Sequence, residues 1–132
     1  MANAQINSVR IDHNLWEGGV KGMVIHVGFD VQDLMGRQGQ VSVYFNYWQG
    51  GPLTAFDSLH RSPDGHLLVS NDFVPQFAAA DFPDFQLFMP YEALHMAPGQ
   101  SALMCKAIIW DMSSPVPQQL ASSAWFQFMY TS

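Results

Sequence analysis

Residues 21–31 read KGMVIHVGFDV, and their periodicity decides the fold. Met23, Ile25, Val27, Phe29 and Val31 are apolar at every second position, while His26, Gly28 and Asp30 occupy the alternate slots. Successive side chains of an extended strand point to opposite faces, so this pattern predicts a strand with one face in a core. His26 takes an outward position, where the expected role is to satisfy a backbone group or meet solvent. Gly28 weakens the strand and marks a bulge or a close approach by a neighbouring backbone.

The same period recurs outward from this stretch. In QVSVYFNYW, Val41, Val43, Phe45 and Tyr47 share one face, and Ser42, Tyr44, Asn46 and Trp48 share the other. Further strands are predicted at 6–13, 67–70, 84–89, 101–112 and 122–130. The segments EGGVKG, MGRQG, QGGP, SPDG and APGQ carry the glycine, proline and polar chemistry of reversals. PYEALHM, residues 90–96, predicts one short helical turn with proline at its start. The expectation is an all-β chain, a single antiparallel β-sandwich domain spanning residues 1–132, with about seven or eight strands.

A chain of 132 residues is long enough to bury a core without disulfide or metal support. Apolar residues make up 48%, but charged residues only 12%, about half the usual share, alongside 14% aromatics. Such a surface has little charge with which to keep neighbours apart, although the net charge of −6 offers some protection. The acidic balance argues against binding a phosphate backbone. No window has the length of a membrane-spanning helix, so membrane insertion is not expected. The start MANAQINS lacks the features of a secretion signal, and no lipidation motif is present. The expectation is therefore cytoplasmic by default, with export by a signal-independent route left open.

The order of VRIDHN, GVKGMVIHVGFDV, VSVYF, SPDGHLLV, FQLFMPYEALHM, IIWD and SSAWFQFMY resembles a bacterial family of small C2-like or immunoglobulin-like sandwich domains. The resemblance runs from about Ile6 to Tyr130, and its most distinctive segments are GMVIHVGF and LFMPYEALH. It implies a sandwich used as an accessory, binding or assembly module. It implies no reaction and no catalytic residue.

Direct chemical signals are weak. His13, His26, His60, His66 and His95 form no HxH or HExxH cluster, although His60 and His66 flank SPDG and could face each other across a hairpin. Calcium would require several converging oxygens. The acids stand in three groups, Asp30 with Asp33, Asp57 with Asp64, and Asp72 with Asp81 and Asp84. The DFPD pair, Asp81 and Asp84, comes nearest to a ligand loop, but turn formation is the favoured role. Cys105, the single cysteine, excludes an internal disulfide and sits in the apolar run ALMCKAIIW. Glu17, Glu92 and the scattered aspartates show no pairing for glycoside chemistry. The reading is non-enzymatic, with no cofactor and no metal.

Aromatic residues are the stronger lead. In SSAWFQFMY, Ala124, Phe126, Phe128 and Tyr130 define one face, while Trp125 and Met129 lie on the other. A sandwich buries one face of each sheet, so two-faced strands need a cover: loops such as 50–61 and 71–83, or another protein. The leading expectation is self-association into an oligomer or filament, or association with another protein. Edge strands are the natural contact, above all QINSVRIDHNLW, with Trp16, Tyr44, Trp48, Trp125 and Met129 as contact residues. The alternative is a ligand-binding module for carbohydrate or a partner peptide, using the row from Tyr44 to Trp48.

Overall fold

The structure, a computed structural model, describes residues 3–48, 67–91, 100–113 and 115–131. These form eight strands: β1 (Asn3–Glu17), β2 (Val20–Gln32), β3 (Gly39–Tyr47), β4 (Leu68–Phe73), β5 (Ala79–Pro90), β6 (Gln100–Asp111), β7 (Gln118–Ser122) and β8 (Phe126–Thr131). All pairings are antiparallel. One sheet has the order β1-β2-β5; the other runs β4-β3-β6, with β7 and β8 both paired to β6. β8 takes residues 100–105 of β6 and β7 takes residues 108–111, so the two lie end to end along one edge. The expected antiparallel sandwich is what forms.

Alternation builds the core as the sequence predicts. Met23, Ile25, Val27, Phe29 and Val31 are buried from β2, and Val41, Val43 and Phe45 from β3. Leu87 and Met89 of β5 and Leu103, Cys105, Ala107 and Ile109 of β6 complete the facing layers. An aromatic knot stiffens one side. Phe29 stacks on Phe82 with centroids 4.9 Å apart and meets Phe73 at 5.1 Å and Phe85 at 5.7 Å. Residues 18 and 19 join β1 to β2, and Gly18 and Gly19 have φ of 59° and 82°. Positive φ at both positions suits a two-residue hairpin turn, where a side chain would be strained.

Four segment boundaries differ from expectation, each for a local reason. β1 runs from residue 3 to 17, beyond the predicted 6–13, because β2 continues to offer partners at both ends. Residues 71–83 are not a long covering loop: β4 extends to Phe73 and β5 begins at Ala79. Pro83 is tolerated within β5 because β5 is an edge strand, where a missing N–H can face away from the ladder. The predicted strand 122–130 is two strands. The chain steps out at residues 123–125, held where Ser123 N–H donates to the Ala107 carbonyl and Ser123 Oγ accepts from Ala107 N–H. Pro90 is the last residue of β5 and the short helical turn opens one residue later, at Tyr91 in 3-10 conformation; the rest of the predicted turn at 90–96 lies outside the described residues, as does the loop 50–61.

Gly28 meets its expectation on both sides. The β1–β2 register shifts between Ile6 and Ser8, opposite it, and the β2–β5 register shifts between Val27 and Phe29. A Cβ at position 28 would lie 2.6 Å from Ser8 Oγ and 3.2 Å from the Pro83 carbonyl oxygen. Only a residue without a side chain lets both neighbours approach so closely.

Candidate assembly surface

Three surfaces carry the exposed chemistry of the described residues: the outer face of the three-stranded sheet, the open edge along β1, and the outer face of the larger sheet.

On the three-stranded sheet, His26 occupies the middle strand, directly opposite Arg10 on β1 and Gln86 on β5. Its Nε2 lies 2.9 Å from Oδ2 of Asp12, and its Nδ1 lies 2.5 Å from Oδ1 of Asp84. Both carboxylates only accept, so the ring satisfies both when each nitrogen carries a proton. Arg10 donates to both oxygens of Asp12 at 2.8 and 2.9 Å, and Gln86 donates to Asp84 at 2.9 Å. The result is a polar clasp across all three strands. The hydrogen bond from Arg10 holds the Asp12 carboxyl below its ordinary value, with His26 contributing. His26, then Gln86, do the same for Asp84.

This arrangement corrects the reading of His26 as a group that satisfies backbone or meets solvent. Its side chain is 12% exposed and enclosed by acids from two other strands. It also corrects the DFPD loop. Asp81 and Asp84 both belong to β5, Asp81 opposite Asp30, and Asp84 is committed to His26 and Gln86. Among the described residues, no three His, Cys, Asp or Glu side chains are placed to hold a metal. His60, His66, His95, Asp57, Asp64 and Glu92 lie outside the described residues.

The long edge is β1. It pairs with β2 on one side, and among the described residues no backbone–backbone hydrogen bond reaches it from any other segment. Its residues 6–9 and residues 122–126 of the other sheet line an open groove of about 360 Å³, and β7 of that sheet packs close to β1 without pairing to it. Within β1, the run from Ser8 to Asp12 is regular. Shifts in register bound it, between Ile6 and Ser8 and between Asp12 and Leu15. His13 turns inward beyond it, against Phe128 at a centroid separation of 5.8 Å. Its Nδ1 lies 3.0 Å from the Tyr91 hydroxyl, which also accepts from the Asn14 N–H at 2.9 Å. Burial lowers the pKa of His13 against the opposing pull of Asp12, and burial raises that of Tyr91.

The larger sheet turns most of the expected contact residues outward together. Tyr44 pairs with Lys106, and the Lys106 ammonium stands 4.8 Å from the Trp125 ring centroid. Met129 pairs with Ala102, whose carbonyl accepts from the Trp48 N–H at 3.1 Å. Tyr44, Trp48, Trp125 and Met129 therefore share one outer face. Trp48 is 46% exposed, Met129 47% and Trp125 38%. Trp16, 68% exposed, stands apart at the end of β1, opposite Lys21 by the β1–β2 hairpin.

Cys105 is fully buried, and burial pushes its thiol up to about 12, which leaves negligible thiolate at neutral pH. No helix among the described residues is long and apolar enough to cross a membrane. No protein-family model, curated protein or solved structure matches the chain.

Proposed function

We propose that this chain is a non-enzymatic sandwich module that associates with further copies of itself, as a closed oligomer or a filament. The observation that carries the reading is the 15-residue strand β1, an edge left open among the described residues. An open edge offers unpaired N–H and C=O groups to another strand, and charge is the usual defence against such pairing. This edge has three charged residues, Arg10, Asp12 and Glu17, and two of them already pair with each other. The exposed Trp48, Trp125 and Met129 lie on the opposite sheet and supply a second contact surface. Two separate surfaces on one chain suit an assembly that continues beyond a pair.

Sedimentation velocity over a wide concentration range tests this reading. Association predicts a mass that rises with concentration, reduced in Trp48→Ala and Trp125→Glu. A single species at 14.8 kDa throughout would overturn it.

One observation favours a second reading. Tyr44, Asn46 and Trp48 sit at alternate positions along and just past β3, which places two aromatic rings and an amide on one outer face. Stacking on such rings, with hydrogen bonds from Asn46, suits a carbohydrate or an extended peptide. Titration with glycans would then quench tryptophan fluorescence at unchanged mass, and Trp48→Ala would remove the signal.

A further inference from the structure

We infer that two copies pair through β1 as antiparallel neighbours, related by a two-fold axis at Ile11, so that Arg10 of each chain faces Asp12 of the other. The inference rests on the self-association reading and specifies its partner and register.

An edge strand that pairs with its own copy about a two-fold axis perpendicular to the sheet must match residues of the same face. Only a few registers satisfy this within the regular stretch of β1. An axis at Arg10 would set the two Arg10 side chains directly opposite each other, and like charges in that position repel. An axis at Val9 would place Arg10 against Ser8, with no charge matched. The axis at Ile11 sets Arg10 against Asp12 twice, once on each side of the dyad. On the inner face it sets Ile11 against itself and Val9 against His13. Charge alone selects this register among the three.

The ion pair is already formed within one chain. Arg10 and Asp12 stand two residues apart on the same face, 2.8 Å between Nη1 and Oδ1, with side chains 60% and 44% exposed. An exposed pair of this kind holds its partners weakly, so exchange between chains costs little. An open groove lies between residues 6–9 and residues 122–126 of the neighbouring sheet, whose β7 packs close to β1 without pairing to it. His26 stays bound to Asp12 from the other side and helps to hold the carboxylate in place. The two sheets β1-β2-β5 would thus join into one six-stranded sheet across the pair.

Charge reversal tests the register. Arg10→Asp and Asp12→Arg each place like charges opposite one another in a homodimer, and each should weaken association by about tenfold or more. Mixing the two variants in equal amounts sets the introduced aspartate of one chain against the introduced arginine of the other and should restore association. The double variant Arg10→Asp/Asp12→Arg should restore it too. Circular dichroism checks that each variant is folded. A second measurement does not depend on Asp12 keeping His26 in place. Arg10→Cys mixed with Asp12→Cys should form a disulfide between chains that neither variant forms alone, and the buried Cys105 stays silent. Wild-type association without restoration on mixing and without the mixed disulfide would overturn this register while leaving self-association intact. A wild-type chain that is monomeric at every concentration would overturn both.

Discussion

Nδ1 of His26 lies 2.5 Å from Oδ1 of Asp84, a residue 58 positions further along the chain. With Asp12 on the opposite ring nitrogen, this contact ties the two edge strands of one sheet to its centre. The clasp ties the acid response of Asp84, and part of that of Asp12, to one histidine.

The expected dependence has a definite sign. Asp12 and Asp84 are held below their ordinary value of 3.8, so in acid the unfolded chain binds more protons than the folded one. Their stabilising contribution is complete above the ordinary carboxylate range and is lost as pH falls through the depressed folded values. His26→Gln removes the leading cause of the Asp84 shift and should flatten that acid limb as well as lower the melting temperature. Urea midpoints measured from about pH 6 to about pH 2 check this. An acid limb of unchanged steepness in the variant would mean that His26 does not set the Asp84 carboxyl.

Gly28→Ala should destabilise the chain by about 1–3 kcal/mol, the usual cost of forcing atoms into a packed site. The new methyl meets Ser8 Oγ at 2.6 Å and the Pro83 carbonyl at 3.2 Å. Adding Ser8→Ala removes the closer contact and should recover part of the loss. Equal midpoints for the single and double variants would place the strain at Pro83 instead.

Phe29→Ala empties the centre of the aromatic knot and should cost about 3–5 kcal/mol. Phe73, Phe82 and Phe85 all lose a ring partner at once. Phe126→Ala, at a position 36% exposed, should cost far less. Chemical denaturation of both variants makes the comparison.

Cys105 should resist alkylation in the folded chain and react fully in denaturant. Its thiol is buried and pushed up to about 12, so reaction requires opening of β6. The labelling rate then reports global unfolding. Rapid labelling under native conditions would show that β6 opens locally.

Much of the fold was legible because a period of two is a local property. The runs around Ile25 and Val43 declare their inner faces without reference to any distant residue. Gly28 also announced its bulge, since a missing side chain in a strand is informative by itself. The ends of β5 were not legible. Pro83 argues locally against a strand, and only the position of β5 at the edge of its sheet removes that objection.

The contact face was legible in part. Alternation puts Tyr44 and Trp48 on one face of their strand, and Trp125 and Met129 on one face of theirs. That these two pairs share a single sheet follows only from β3 and β8 flanking β6. Trp16 looks equivalent in sequence and lies on the other sheet.

The amino-acid sequence by itself determined the class of the fold, the inner face of most strands and the burial of Cys105, because each depends on neighbours along the chain. Tertiary structure alone decided what His26 does. Its acids, Asp12 and Asp84, lie 14 and 58 residues away, and strand order brings them to its two nitrogens. The same strand order decided that β1 would be an edge, because alternation assigns a residue to a face and does not say which strand lies beside it.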